Sequence, residues 1–451
     1  MPYRLHHLEK NGPLAPRFKK RSMVTDHKIK VWNAFVDSEL SDITEDDCAI
    51  FPRVLPASYL PVIEKTAHDI CLFAFRLLSL PAVEIKAIIP SGPVRDFLID
   101  ELEVLKHRSG RLIGSLRLDL ALVGLPEVNN PPKFLEINEI GFDGLARASM
   151  IQQTLLDLIP ELQGKIIFRD TLEHELKNMQ KLGTHLLRLQ EDSYNWDEEH
   201  LVQSAQKKGV EIQLLCPKQF GLSPDPIDFP MMAHEKILFQ NKKIVTESGF
   251  KPAAYQMSFA LNLEDYQKYS PLFKQLLKSR TPAYGSFLMG LAASKIILVL
   301  MDDPFLRKKL LGSSRRLQGS LLPAFPLESE LERVEKSPSK YVLKHIDGYG
   351  GELVYIGRDL IKKLKHIPPE QYREWIVQQR TRLNLFAVEG ILSRPRHVIS
   401  DLGVFVHYDF AHNNLQSFKV GGFITRATNK GYKVNVSGGG IQIPIVFDAR
   451  K

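Results

Sequence analysis

The segment 340–357, KYVLKHIDGYGGELVYIG, most constrains what this chain can fold into. One β-type run ends at Lys344 and a second begins at Leu353, and between them lie three glycines, Gly348, Gly350 and Gly351. Glycines let a backbone approach a bulky anion and point N–H groups at it, while a lysine supplies a point charge. Because a strand follows the glycines, the segment is neither a Walker A loop nor a dinucleotide-binding fingerprint. Taken alone, an ordinary hairpin with a glycine-rich turn explains it equally well.

A second feature is a pair of alternating strands with polar side chains on one face. Arg117 and Asp119 share a face of the first strand, and Glu136 and Asn138 share a face of the second. If the strands pair, one surface gathers an arginine, two carboxylates and a carboxamide. Hard cations such as Mg²⁺ prefer these oxygen ligands. The alternative is a half-exposed hairpin with a solvated polar face.

Composition limits the classes of function. The 451 residues suffice for two or three domains, and 44% hydrophobic and 25% charged residues are typical of a globular protein. A net charge of +8 helps to attract phosphates, but no aromatic-plus-basic motif indicates nucleic acid. The three cysteines have no metal-ligand spacing, and the first thirty residues lack the apolar core of a signal peptide, so we expect a cytoplasmic protein.

The longest apolar run, 285–301, contains Lys295 near its middle. A membrane-spanning helix seldom carries an unpaired lysine there, so the run predicts a buried helix and no membrane contact. A snorkelling side chain is the common explanation for such a lysine. A functional role for Lys295 would require that its side chain point into a cleft that holds phosphate.

The order of predicted elements indicates a mixed α/β (α+β) protein with a β-rich C-terminal lobe. Apolar spacing from Tyr59 to Leu80 predicts an amphipathic helix, and helix-like sequence also runs from Leu145 to Leu158. Residues 111–140 predict two strands, and 165–280 contain a strand, a helix and a strand. The last 115 residues are mostly strand-like and rich in glycine.

Together these segments resemble the ATP-grasp superfamily, specifically its circularly permuted branch of glutathionylspermidine-synthetase-like ligases. The resemblance lies in five places: Arg117-x-Asp119 with Glu136-x-Asn138, the segment 293–303 around Lys295, Lys344 with its glycines, WIVQQR at 375–380, and GGFITRAT with VNVSGGG. In ordinary members the metal motif follows the lysine and the glycine loop. Here Asn138 precedes Lys344 by 206 positions, as permutation requires.

The resemblance implies a division of the chain. Residues 1–110 lie outside the resemblance; we expect a helical region there that holds the determinants of substrate identity. Residues 111–160 would form the first part of the ATP-grasp domain. Residues 161–280 would form a small α/β unit like the one that precedes the ATP-grasp domain, and 281–451 the second part. In many relatives a glutamate follows a glutamine in the hinge. This chain has Gln378 and Gln379 followed by Arg380 instead.

The resemblance also implies an activity, an ADP-forming ligation of a carboxylate to an amine through an acyl phosphate. ATP and Mg²⁺ would be required, and the substrates would be small molecules such as an amino acid, a peptide or a polyamine. Nucleic acid and membranes are not expected as partners, and a homo-oligomer is left open. The implied roles are as follows: phosphoryl or oxyanion contact by Arg117 and Arg426; nucleotide contact by Lys295, Lys344, Gly348, Gly350, Gly351, Gln378 and Gln379; and metal binding by Asp119, Glu136 and Asn138.

Two other functions compete with ligation. A phosphotransferase could use the same nucleotide site, because it shares the first step. The other is a non-catalytic ATP-binding protein with a regulatory or partner-binding role, although such a protein has no need of both lysines and every metal ligand. No zinc spacing and no serine-hydrolase motif occurs in the sequence.

Overall fold

A computed structural model gives the three-dimensional structure of the chain. It describes residues 53–106, 111–124, 126–138, 144–158, 160, 163–190, 196–220, 232–257, 263–285, 289–348, 353–388, 396–412, 414–428, 441–443 and 445–449. Gly350 and Gly351, predicted to contact phosphate, lie outside the described residues, as do residues 1–52 and 107–110 of the predicted N-terminal region.

The α-helices of the described chain lie between residues 60 and 364. They are α1 (Leu60–Leu78), α2 (Ala82–Ile88), α3 (Pro93–Lys106), α4 (Leu145–Leu158), α5 (Thr171–Met179), α6 (Trp196–Lys207), α7 (Leu263–Lys278), α8 (Gly290–Ala293), α9 (Ile296–Asp302), α10 (Pro304–Leu311), α11 (Leu327–Lys336) and α12 (Arg358–Leu364).

The described strands, apart from β1, lie within residues 111–257 and 324–448. They are β1 (Arg53–Pro56), β2 (Arg111–Ala121), β3 (Lys133–Asn138), β4 (Ile166–Ile167), β5 (His185–Leu189), β6 (Glu211–Pro217), β7 (Ala233–Glu235), β8 (Ile237–Gln240), β9 (Lys243–Thr246), β10 (Ala254–Met257), β11 (Ala324–Pro326), β12 (Tyr341–His345), β13 (Val354–Ile356), β14 (Trp375–Gln379), β15 (Leu385–Val388), β16 (Arg396–Ser400), β17 (Leu402–Ala411), β18 (Asn414–Thr428), β19 (Ile441–Ile443) and β20 (Ile445–Asp448).

Three of the sheets matter most for the site. The central sheet has the strand order β15-β16-β18-β17-β2-β3, with β19 beside β18. The lysine sheet, named for Lys344 on β12, has the order β11-β14-β12-β13 and is antiparallel throughout. The parallel sheet, β10-β5-β6-β7, contains the predicted strand-helix-strand unit. Two small sheets, β1-β20-β4 and β8-β9, complete the set.

The central sheet has one apolar and one partly polar face, because side chains alternate along a strand. On the apolar face, Leu116 and Leu118 of β2 and Val404 of β17 belong to the same buried cluster as Phe73 and Phe75 of α1. The ring of Phe75 lies 4.6 Å from that of Tyr408, between centroids. The predicted helix from Tyr59 to Leu80 therefore exists as α1, and it covers this sheet.

The opposite face of the central sheet is covered by α4 and α5. Leu145 and Ala148 of α4 pack against Phe405 and Ile424. Ser115, Arg117 and Asp119 lie on this face of β2, since they alternate with the leucines that contact α1. The polar groups of β2 are thus enclosed between the sheet and the helices.

The mixed α/β fold predicted from the sequence is confirmed. α4 has the predicted bounds, and the two predicted β-type runs of the segment 340–357 are β12 and β13, which pair antiparallel. Within the ranges given above, no helix is both long enough and apolar enough to cross a membrane.

The prediction of one buried helix across 285–301 is wrong for the part that the structure describes. The run contains two short helices, α8 and α9, and Ser294 between them has an extended backbone with φ −57° and ψ 134°. Lys295 is the N-cap residue of α9. A break at this point lets the lysine leave the apolar helix surface, which resolves the conflict between an apolar run and a charge at its middle.

A buried carboxylate ties α5 to the polar face of the central sheet. Glu175 of α5 is fully buried, and it accepts hydrogen bonds from Ser115 Oγ at 3.0 Å and from Tyr284 Oη at 2.9 Å. His407 Nδ1 lies 3.1 Å from Glu175 Oε2, the same oxygen that accepts from Tyr284. Burial alone would raise the pKa of Glu175, but His407, Tyr284 and Ser115 outweigh that effect and lower it.

We therefore expect Glu175→Gln to destabilise the protein by roughly 2 kcal/mol at pH 7, the scale of hydrogen bonds to a charged group. Because the folded-state pKa of Glu175 is depressed, its contribution is present above the ordinary glutamate pKa and is lost as the pH falls through the folded value. The difference in unfolding free energy between wild type and variant should thus shrink in acid. Urea unfolding of both proteins at several pH values measures this difference in unfolding free energy.

Glu173→Gln is the matched control, because Glu173 lies on the same helix and pairs with Lys177 at the surface. Glu173→Gln should lower the free energy of unfolding by only a few tenths of a kcal/mol. Equal losses for the two variants would show that the Glu175 network does not hold α5 to the sheet.

Candidate functional site

The predicted pairing of the two polar strands occurs. β2 and β3 are antiparallel, with Arg117 opposite Asn138 and Asp119 opposite Glu136. The alternative of a solvated hairpin is not what the structure contains, since Arg117 is 7% exposed and Asp119 is 1% exposed. All four polar side chains start from one face of the same strand pair, as the alternation predicts.

Asp119 is the centre of a buried hydrogen-bond network. Its Oδ1 accepts from Arg117 Nε at 2.9 Å, and its Oδ2 accepts from Asn138 Nδ2 at 2.9 Å and from Arg426 Nη2 at 2.5 Å. Burial would raise the pKa of Asp119, but the two arginines outweigh burial and lower it to about 2. The carboxylate is therefore ionised at neutral pH and joins the two arginines.

A second buried carboxylate, Asp401, holds Arg426 from the other side. Its Oδ2 accepts from Arg426 Nε at 2.9 Å and from Nη2, and its Oδ1 accepts from the Arg426 backbone N–H at 2.9 Å. Complete burial raises the pKa of Asp401 to about 6 even though Arg426 acts in the opposite direction. Arg117, Asp119, Arg426 and Asp401 thus form a row of alternating charge across the central sheet.

Gly403 makes room for this row. It lies opposite Asp119 on the neighbouring strand β17. A Cβ atom there would lie 2.7 Å from Ile424 Cγ2 and 3.2 Å from Arg117 Cδ. The absence of a side chain lets Arg117 lie flat across β17 towards Asp119.

The two predicted nucleotide lysines come from different elements and converge on β3. Lys295, at the start of α9, is 5% exposed; its Nζ lies 3.6 Å from Glu136 Oε2 and donates to the carbonyl of Gly348. Lys344, on β12, donates from Nζ to the carbonyl of Leu135 at 3.3 Å. The ladder of β2 and β3 is irregular between Asp119 and Leu120, which leaves Leu135 as the unpaired extra residue. That irregularity frees the carbonyl that Lys344 binds.

Lys344 is a buried cation with a shifted pKa. Burial lowers the pKa of its ammonium to about 8, with Lys295 acting in the same direction and Glu136 and Asp119 opposing. A lysine whose charged form is disfavoured by burial is suited to a site that receives an anion.

The lysine sheet places the two predicted hinge glutamines on different faces. Gln378 pairs with Val342 and lies on the same face as Lys344, and its Nε2 is 3.5 Å from the carbonyl of Phe134. Gln379 is exposed and lies on the face of Val377, away from Lys344. Only Gln378 is near the cluster of Lys344 and Glu136.

The donor set suits Mg²⁺ in its chemistry, since two carboxylates and a carboxamide supply hard oxygen ligands. Glu136 is partly exposed, and its Oε2 lies 3.6 Å from Lys295 Nζ. Asp119 already accepts from Asn138 and both arginines, so a cation on Asp119 requires one of these donors to turn away. In the part of the chain that the structure describes, no three His, Cys, Asp or Glu side chains form a metal site by themselves.

The assembled cluster is net positive. Four cationic side chains (Arg117, Lys295, Lys344 and Arg426) surround three carboxylates (Asp119, Glu136 and Asp401). Such a cluster can bind a polyphosphate and neutralise charge on a phosphoryl group in transfer.

Comparisons with known proteins bear on the fold. No family model matches the chain, and no curated protein matches it in sequence. A glutathione synthetase-like effector from Globodera pallida, solved in its apo form, superposes with a TM-score of 0.69 at 10% identity, covering 96% of this chain and 99% of that one. The chain therefore shares the fold of this glutathione synthetase-like protein, in agreement with the predicted ATP-grasp fold, whereas the circular permutation stays a prediction.

Two further solved structures align with shorter parts of the chain. A RimK-domain ATP-grasp protein from Sphaerobacter thermophilus has a TM-score of 0.27 at 13% identity, covering 58% of this chain and 91% of its own. D-alanyl-alanine synthetase A from Vibrio cholerae has a TM-score of 0.25 at 10% identity, covering 59% and 89%. At these TM-scores neither likeness carries weight.

Asp401 and Gly403 are the site residues that sequence reasoning missed. Asp401 follows Val398, Ile399 and Ser400 and precedes Leu402, so it is a carboxylate inside an apolar strand pattern. A charge in such a position needs a partner, and that need was a signal for an arginine nearby.

We expect Lys344→Met to be more stable than the wild type at pH 7, by roughly 1–2 kcal/mol, because it removes a poorly compensated buried charge. The folded-state pKa of Lys344 is about 8, below the ordinary lysine value, so its cost is full below pH 8 and disappears as the pH rises towards that ordinary value. The advantage of the variant should therefore shrink between pH 7 and pH 10, as urea unfolding can measure.

Lys340→Met provides the control, because Lys340 is exposed just before the same strand. Its effect on unfolding free energy should be small and independent of pH over this range. A pH-independent effect of Lys344→Met as well would contradict the lowered pKa of Lys344.

Proposed function

We propose that the protein is an ATP-dependent, ADP-forming ligase that joins a carboxylate to an amine through an acyl phosphate. The observation that carries the proposal is the convergence of Lys295 and Lys344 on Glu136, beside the buried pair of Arg117 and Asp119. The fold supports the proposal, because the solved structure that superposes on 96% of this chain is described as glutathione synthetase-like.

The lysines would bind the phosphates of ATP. Both lysine side chains are buried, and each ammonium group donates a hydrogen bond to a backbone carbonyl. The acceptor is Gly348 for Lys295 and Leu135 for Lys344. A phosphate oxygen is a stronger partner for an ammonium group than a neutral carbonyl. Binding of ATP would thus replace weak acceptors by charged ones, and it would offset the cost of burying Lys344.

The arginines would act on the group being transferred. The substrate carboxylate attacks the γ-phosphorus and ADP leaves; the amine then attacks the acyl carbon and phosphate leaves. Arg117 and Arg426 lie on either side of Asp119, which fixes their guanidinium groups before substrate arrives. Donors that are oriented in advance stabilise developing negative charge without reorganising during the reaction.

Glu136 and Asn138, together with Asp119 once a donor turns away from it, would hold Mg²⁺. The ion when bound supplies neutralisation of the polyphosphate charge. The role of Asp401 is then to keep Arg426 in place when Asp119 changes partner, since it binds the same guanidinium group through Nε and Nη2.

The proposal is tested by separating the nucleotide products in the presence of hydroxylamine. The protein is incubated with Mg-ATP and pooled amino acids, small peptides and other carboxylic acids. We expect ADP together with a hydroxamate, which identifies the activated acid. Lys344→Met is the control, with turnover lower by about 100-fold or more.

The other outcomes separate the competing functions. Formation of AMP would contradict an acyl phosphate. Formation of ADP without a hydroxamate would favour a phosphotransferase. Binding of Mg-ATP without turnover for any acid would favour a non-catalytic nucleotide-binding protein.

Glu136→Gln tests the metal site. Loss of the carboxylate charge should raise the Mg²⁺ concentration for half-maximal turnover by roughly tenfold or more. Glu127→Gln is the matched control, because Glu127 is exposed in the connection between β2 and β3. A magnesium titration that is the same for all three proteins would remove Glu136 from the metal ligands.

A further inference from the structure

Arg95 is a buried arginine of the N-terminal helical region, outside the segments that carry the sequence motifs. It lies near the start of α3, which packs against α7 and α8. Its side chain is held by its own chain: Nε donates to the carbonyl of Pro90 at 2.8 Å and Nη2 to the carbonyl of Ser91 at 3.0 Å. The orientation of the guanidinium group is therefore set locally.

This orientation of the Arg95 guanidinium group requires a glycine at position 92. A Cβ atom at Gly92 would lie 2.3 Å from Arg95 Nη2 and 2.7 Å from its Cζ. The guanidinium group folds back over the glycine, and only the absence of a side chain permits it. The turn is also fastened to the helix, since Ser91 Oγ donates to Asp96 Oδ2 at 2.6 Å.

The remaining nitrogen of Arg95, Nη1, binds the carboxylate of Asp347. Asp347 lies 252 positions away in the chain, between the end of β12 and Gly348. Arg95 has a 4% exposed side chain, whereas that of Asp347 is 38% exposed. The arginine is thus the fixed partner, and the aspartate is held by it.

The turn that contains Asp347 holds Lys295. The carbonyl of Gly348 accepts from Lys295 Nζ, and the carbonyl of Ile346 accepts from the Lys295 backbone N–H at 2.9 Å. Ser294 Oγ donates to the same Ile346 carbonyl at 3.3 Å. A shift of the turn at residues 346–348 therefore shifts the acceptor of the Lys295 ammonium group.

We infer that Arg95 is a positioning residue, which acts through Asp347 to fix the turn 346–348 and with it the side chain of Lys295. The N-terminal helical region then takes part in the geometry of the nucleotide site, and its role is not confined to binding substrate. The part of this inference that concerns nucleotide rests on the proposed function. The part that concerns Lys295 does not.

The first experiment measures Lys295 in the protein without nucleotide. Brief acylation of amines followed by mass spectrometry gives the labelling rate of Lys295, with the exposed Lys340 as internal reference. Asp347→Asn and Arg95→Gln should each raise the Lys295 rate by about fivefold, the effect of losing one favourable hydrogen bond. If Arg95→Gln does not fold, Asp347→Asn decides the outcome, because its side chain is partly exposed.

Asp100→Asn is the matched control. Asp100 is on α3 like Arg95, and it pairs with Lys86 at the surface. It should leave Lys295 labelling unchanged. An unchanged Lys295 rate in folded Asp347→Asn would overturn the inference, whatever the protein does with ATP.

The second experiment measures affinity for Mg-ATP by calorimetry. Arg95→Gln and Asp347→Asn should weaken binding by a similar factor, and the double variant should be no weaker than either single variant, because both remove one interaction. Arg95→Lys should restore part of the affinity. Additive losses in the double variant would contradict coupling through the Arg95–Asp347 pair. A wild type that does not bind Mg-ATP would refute the proposed function and leave the labelling experiment to decide this inference.

Discussion

The site depends on one buried carboxylate, Asp119, which lies between two arginines in the middle of the central sheet. An isolated charge in such a place is very costly, so its partners are a condition of folding. Asp119 needs Arg117 beside it on the same strand, and Arg426 needs Asp401 as a second acceptor. The same charges that satisfy one another in the folded protein are the charges that, in the proposed function, would bind a polyphosphate and a metal ion.

The position of this row follows from the two unlike faces of β2. Leucines on one face pack on α1, which buries them with Phe73 and Phe75, and this packing sets the register of the strand. A slip by one residue would place Arg117 and Asp119 against α1 and the leucines against α4 and α5. The hydrophobic core on one side therefore maintains the electrostatic arrangement on the other.

Several parts of the site were predictable because their determinants are local. Alternation along a strand places Arg117 with Asp119 and Glu136 with Asn138, and the glycine-rich segment after Lys344 indicates a hairpin. The break at Lys295 was not predicted, because apolar periodicity in a short run does not distinguish one helix from two. Asp401 was missed for another reason: its partner, Arg426, is 25 residues away, and only strand pairing joins them.

The sequence by itself determined that α1 and α4 are helices, that β2 and β3 are strands, and which of their side chains share a face, because these follow from periodicity along a few residues. Only the tertiary structure decided which elements meet. Lys344 reaches the carbonyl of Leu135 across 209 positions, and Arg95 reaches Asp347 across 252. Such contacts depend on how sheets and helices pack, and packing is decided by the summed burial of many side chains, which no short stretch of sequence contains.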